Sequence, residues 1–142
     1  MQICFPTLEK FPQLSKDLSA HYWLVVINIK AKRFEVIDSL ARRGCALLME
    51  SCHLLIANIK VMWGKEYANS KVDIVDWPIE IIDNPKQTNG YDCGFFTLQN
   101  LEEKHGRTTT SLTQKDLTKI RILFTDRLIR FVDNKVSWSL FV

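Results

Sequence analysis

Apolar side chains recur along this chain at two different periods, and the change between periods marks the elements. Leu24-Val25-Val26-Ile27-Asn28-Ile29, opened by His21-Tyr22-Trp23, is rich in β-branched and aromatic residues and reads as a strand. Ala31-Lys32 makes a short break, and Arg33-Phe34-Glu35-Val36-Ile37-Asp38 reads as a second strand. The pair predicts an antiparallel hairpin whose far ends, His21 and Asp38, come together. From Ala41 to about Tyr67 the pattern changes. Leu48, Cys52, Leu55, Ile59 and Trp63 recur every three or four positions, one face of a helix of several turns.

The remaining segments follow the same logic. Met1 to Ala20, with Pro6 and Pro12, reads as irregular. Val72 to Ile82 alternates loosely and predicts a short strand, with Pro78 arguing for an edge or a break. Asp83-Asn84-Pro85 is a loop. Cys93-Gly94-Phe95-Phe96-Thr97-Leu98 opens a buried helix, with Phe95, Phe96, Leu98 and Leu101 leaving it few solvent positions and Gly106 as its C-terminal cap. Thr113 to Asp116 resembles a capping box, and the helix behind it carries Leu117, Ile120, Phe124, Leu128 and Phe131 on one stripe. Val136 to Val142 is apolar and predicts a terminal strand or an interface. The implied class is α+β: a small mixed β-sheet packed by helices, in a single domain spanning residues 1–142.

Composition changes this picture little. At 142 residues, with a net charge of +3 and scattered basic residues, the chain carries no nucleic-acid patch. The clusters Lys30-Ala31-Lys32-Arg33 and Ala41-Arg42-Arg43 read as solvated turn and helix-start charges. No apolar run is long enough to span a membrane, and Met1 to Pro6 lacks a signal-peptide layout. Cys4, Cys45, Cys52 and Cys93 form no C-x-x-C pair and no zinc-like spacing with histidine, so no metal or organic cofactor is expected. Unpaired thiols suit a reducing compartment, nuclear or cytoplasmic.

Candidate chemistry concentrates in Gln87-Thr88-Asn89-Gly90-Tyr91-Asp92-Cys93-Gly94. Asn-Gly is a turn signal, so Cys93 falls on the first turn of a helix. There the unpaired N–H groups and the positive end of the helix dipole favour thiolate over thiol. His21 is an available base, and Asp38 beside it would fix its tautomer and hold its charge. Gln87, six positions before Cys93 (93 − 87), is a candidate oxyanion donor, or else satisfies loop backbone. Asp92 is a rival orienting carboxylate or a helix cap. His53 and His105 read as structural or surface residues, and Trp63, Trp77 and Trp138 as core or edge anchors.

These residues carry a resemblance. His21-Tyr22-Trp23-Leu24, Asp38-Ser39-Leu40, and Gln87 through Cys93-Gly94 resemble the motifs of the ubiquitin-like-protein-specific cysteine proteases, the SUMO proteases and their adenoviral-protease-like relatives. The order His, Asp, Gln, Cys matches, over roughly His21 to Leu101. The resemblance implies a thiol protease or isopeptidase that cleaves after the C-terminal Gly-Gly of SUMO or a related modifier. It implies His21, Asp38, Gln87 and Cys93 as catalytic residues. Trp23 would be a lid over a narrow channel, and Gly94 would keep the backbone beside the thiol uncluttered. Two features depart from the family. Tyr22, not a Trp, directly follows the His, which exchanges two rings across the faces of a strand. Only Met1 to Ala20 precede His21 where family domains carry several dozen residues, so a shortened domain is expected. The alternative is a catalytically inactive relative or fragment acting as a protein-binding module.

Overall fold

The computed structural model describes residues 1–10, 20–40, 46–106 and 113–132. Four strands form one mixed sheet: β1 (Gln2–Glu9), β2 (His21–Asn28), β3 (Arg33–Ile37) and β4 (Ile79–Ile81), in that spatial order. β1–β2 and β2–β3 pair antiparallel, and β4 runs parallel to β3. Three helices accompany the sheet: α1 (Ala46–Glu66), α2 (Cys93–Lys104) and α3 (Leu117–Ile129). This is the mixed α+β arrangement expected from the sequence.

The hairpin forms as expected, with Leu24 opposite Ile37 and Asn28 opposite Arg33. Its turn is closed by Asn28, whose Oδ1 accepts the Ala31 N–H at 3.0 Å, and Lys32 adopts a left-handed φ of 53°. From Trp23 to Ile27 every residue of β2 is buried, because both faces of the strand are covered. Trp23, Val25 and Ile27 pack with Phe34, Val36 and the α1 residues Leu48, Cys52, Ile56 and Ile59. Leu24, Val26 and Ile37 pack on the other face against Cys4, Ile82 and Leu101 of α2. The sheet is thus sandwiched between α1 and α2.

Three expectations are corrected. The segment read as irregular contains β1, paired along its whole length with β2. Pro6 is tolerated there because, among the described residues, β1 lies at the sheet edge, where a missing N–H breaks no inner ladder. The Thr113–Asp116 motif forms no full capping box. Gln114–Asp116 is a 3-10 turn, and the Thr113 hydroxyl donates to the Asp116 carboxylate at 2.5 Å instead of reaching a backbone N–H. On α3, among the described residues, the stripe is buried only at Leu117 and Phe124, and Leu128 is 67% exposed. The readings at Cys45, Trp138 and Val136–Val142 lie outside the described residues.

One feature of β3 was invisible to periodicity. Glu35 is buried in the sheet, with Lys104 Nζ on Oε2 at 2.5 Å and Asn28 Nδ2 and Arg33 Nε on Oε1 at 2.9 Å. Burial opposes its ionisation, but Lys104, Asn28 and Arg33 outweigh burial and hold the carboxyl below its usual range. The network fastens the C-terminal end of α2 to the sheet.

Candidate active site

His21 opens β2, and Asp38 follows the last residue of β3. Since Leu24 pairs with Ile37, Asp38 falls opposite Trp23, and His21 is its diagonal neighbour on the same face. The His21 Nε2–Asp38 Oδ1 separation is 2.8 Å, and both residues are buried. The same Oδ1 accepts the Leu40 N–H at 2.7 Å, which fixes the carboxylate in an Asx turn. With Nε2 taken by Asp38, the other ring nitrogen is left for the sulfur of Cys93, the first residue of α2.

The electrostatics follow from these contacts. Burial alone would lower the His21 pKa. Hydrogen bonds to Asp38 and to Cys93, with their charges, outweigh it and raise the value from 6.5 to about 9. At Cys93, burial pushes the thiol up. The His21 ring and the backbone N–H groups of Tyr22 and Gly94 more than offset that, and the thiol lies below its ordinary value. Both shifts favour a thiolate–imidazolium pair over two neutral groups.

The loop that delivers Cys93 is stitched to the end of β3. Gln87 N–H donates to Ser39 O at 2.9 Å, and the Ser39 hydroxyl donates to Gln87 Oε1 at 2.5 Å. Lys86 Nζ donates to the Asp38 carbonyl at 2.7 Å and to Asn84 Oδ1 at 3.0 Å. Gln87 Nε2 gives one hydrogen to the Asn89 carbonyl at 2.6 Å, so the amide does satisfy loop backbone, and one of its two N–H groups remains. Asn89 Oδ1 in turn accepts the N–H groups of Tyr91 and Asp92 at 3.2 and 3.1 Å, shaping the turn before the helix.

A cavity of about 650 Å³ opens beside the thiol, walled by Tyr22, Gly90, Tyr91, Gly94 and Phe95 among others. Here the expectation for Trp23 fails. Its side chain is 0% exposed and lies in the core under α1, whereas Tyr22, 41% exposed, faces the thiol side. Alternation along β2 decides this: the residue next to His21 points to the α2 face, and the one after it points to α1. At Gly94 an added Cβ would meet only Tyr22 Cδ2, at 3.7 Å, an ordinary contact. Among the described residues, packing therefore does not demand glycine there.

Asp92 is neither the orienting carboxylate nor a side-chain cap. Its side chain makes no cap hydrogen bond. It is fully buried against α3, paired with Arg121 and accepting from Asn89 Nδ2 at 2.5 Å and Gln114 Nε2 at 2.8 Å. The sequence reading missed Lys86 and Arg121, neither of which carries a local motif, and gave Ser39 no role of its own. His53 and His105 are exposed, as read. Among the described residues no group of three or more His, Cys, Asp or Glu side chains could hold a metal, and no helix is long and apolar enough to cross a membrane.

Comparison with known proteins places this geometry in a family. The human sentrin-specific protease 2 is 32% identical over 83 residues, 54% of this chain and 13% of that protein. A sentrin-specific protease of Caenorhabditis elegans is 31% identical over 105 residues, 73% of this chain and 14% of that protein. In structure, the chain is similar to the C-terminal Ulp1 protease domain solved in complex with Smt3, the yeast orthologue of SUMO. The TM-score is 0.62 at 22% identity, covering 84% of this chain and 48% of that one. The chain thus spans about half of that solved domain and a much smaller share of the full-length relatives. Residues 14–128 match the model of the Ulp1 protease family, C-terminal catalytic domain, and the chain belongs to that family.

Proposed function

We propose that residues 1–142 act as one catalytic unit, a thiol protease or isopeptidase that cleaves after the C-terminal Gly-Gly of SUMO or a related ubiquitin-like modifier. The observation that carries this reading is the relay Asp38–His21–Cys93, with a 2.8 Å ion pair behind the ring and a thiol lowered by His21 and two backbone N–H groups. The Cys93 thiolate attacks the glycine carbonyl carbon and forms a tetrahedral oxyanion. The remaining Gln87 N–H and the backbone N–H of Cys93 stabilise that oxyanion, each donor worth about 3 kcal/mol. The His21 imidazolium gives its proton to the leaving amine, and a thioester remains on Cys93. Water, deprotonated by His21, hydrolyses the thioester and restores the thiolate. Asp38 keeps the ring oriented and its positive charge stabilised throughout.

The partner class is supported by the names of the relatives: sentrin-specific proteases, and a Ulp1 domain crystallised with a SUMO orthologue. Tyr22 and Gly94 line the cavity beside the thiol and are the proposed contacts for the modifier's glycine tail. Such a tail threads where side chains would collide. Free thiols at Cys4 and Cys93 suit a nuclear or cytoplasmic setting.

The test is labelling with SUMO and ubiquitin probes that carry a C-terminal electrophile, read by intact mass and peptide mapping. An adduct on Cys93 with a SUMO-type probe is expected, and none with Cys93→Ser. A folded sample that captures no modifier probe would overturn the assignment.

A further inference from the structure

The carboxylate that immediately precedes the thiol in the chain is used neither as a cap nor in the relay, and its environment is built in detail. Asp92 is fully buried, and its carbonyl starts α2 by accepting the Phe95 and Phe96 N–H groups at 3.0 and 3.2 Å. Its carboxylate turns away from the helix and meets α3, where Arg121 pairs with Oδ1 while Asn89 and Gln114 hold Oδ2. Gln114 also accepts the Thr88 N–H at 2.9 Å, a second tie between this region and the cysteine loop. The Arg121 guanidinium lies over two rings at once, 5.7 Å from the Tyr91 centroid and 5.5 Å from that of Phe95. Those two rings wall the cavity beside Cys93.

We propose that Arg121 is a positioning residue for the thiol site: it neutralises the buried Asp92 carboxylate next to Cys93 and clamps the Tyr91 and Phe95 rings that wall the thiol cavity. This rests on Cys93 being the nucleophile. The charged group on the thiol is His21 of β2, with Asp38 and Lys86 behind it; Asp92 precedes Cys93 in the chain, Arg121 of α3 pairs with it, and the Tyr91 ring lies beside Arg121. An uncompensated buried anion on the residue that precedes Cys93 would disfavour the thiolate. A planar guanidinium can pair with the carboxylate and stack on the rings together, which an ammonium cannot.

The experiment is a charge cycle read by alkylation of Cys93 with iodoacetamide from pH 5 to 10, mapped by peptide mass and therefore independent of protease activity. In the wild type, alkylation is expected to remain fast below the pH at which an ordinary cysteine slows. Arg121→Met should slow it roughly tenfold on the acid limb of the profile, where the thiol is mostly protonated, the effect of a pKa rise of about one unit. Asp92→Asn should leave it at least as fast as wild type, and the double variant should return to within about threefold of wild type. A merely structural role would not produce shifts of opposite sign that cancel. Arg121→Lys, which keeps the charge and loses the planar stack, should keep the alkylation profile but raise KM on a modifier-linked fluorogenic substrate. A folded Arg121→Met with a wild-type profile overturns the clamp, as does a folded double variant as slow as Arg121→Met. If Arg121→Met fails to fold and the double variant folds with a wild-type profile, the unpaired carboxylate is the cause, as proposed. If neither folds, Arg121→Lys decides: an unshifted profile supports the clamp, and one shifted to that of an ordinary thiol overturns it. If the wild-type thiol alkylates like an ordinary cysteine, the nucleophile reading falls and the clamp with it.

Discussion

One oxygen of Asp38 serves two partners, the His21 ring at 2.8 Å and the Leu40 N–H at 2.7 Å. An asparagine can satisfy Leu40 with its carbonyl but then offers His21 no anion and favours the wrong tautomer. Asp38→Asn should therefore fold normally by circular dichroism and lose turnover by roughly two to four orders of magnitude. The pH–rate profile follows from the same pair. With the thiol lowered and His21 raised to about 9, kcat/KM should rise below the ordinary cysteine range as the thiolate forms, then fall as pH passes about 9 and the imidazolium is lost. An alkaline limb near 6.5, the ordinary histidine value, would contradict the observed ring environment. That His21, Asp38 and Cys93 come together was legible in the sequence, because strand ends, a turn dipeptide and a helix start are local signals. Arg121 was not. It meets Asp92 across 29 residues, and nothing near either residue announces the other.

At the scale of elements, β2 separates two jobs by alternation. Trp23 is core and Tyr22 is cavity wall, the reverse of what a lid at Trp23 required. Trp23→Ala should cost about 3–5 kcal/mol, measured as a lowered urea midpoint. Tyr22→Ala should leave the midpoint nearly unchanged and weaken capture of a SUMO probe. Equal stability losses in the two variants would mean that the two faces are not distinguished as described. The hairpin and the cysteine helix were readable from period and composition. β1 was hidden because Pro6 resembles a breaker and only its edge position makes it harmless. The tail of the α3 stripe misled because periodicity reports which residues share a face and not whether anything covers it: Leu128 and Phe131 share that face and are exposed.

For the whole molecule, two buried carboxylates set the acid limit. Glu35 and Asp92 both titrate below their ordinary values of 4.5 and 3.8 because, despite burial, Lys104, Asn28 and Arg33 hold the first, and Asn89, Arg121 and Gln114 the second. Depressed values contribute stability that is present above the unfolded-state pKa and lost as pH falls through the folded one. Thermal stability should therefore hold from neutral pH down to the unfolded-state carboxylate range, about pH 4 to 4.5, and drop steeply below it. Melting curves by circular dichroism from pH 7 to 2 check this; a decline beginning above pH 6 would exclude these carboxylates as the cause.

The stitch between Ser39 and Gln87 joins backbone positions 48 residues apart in sequence. It makes everything between them a handle whose two ends are fixed beside Asp38 and the Cys93 loop. Within that handle the turn from Ala68 to Lys71, just beyond α1, is exposed. Lengthening a closed loop costs only about 0.6 kcal/mol per doubling. The segment is thus a splice point: a flexible insert of ten or so glycine and serine residues there should leave Cys93 labelling by a SUMO probe within about twofold of wild type. A loss of labelling in a folded insert would mean that the two ends are held by the handle and not by the stitch.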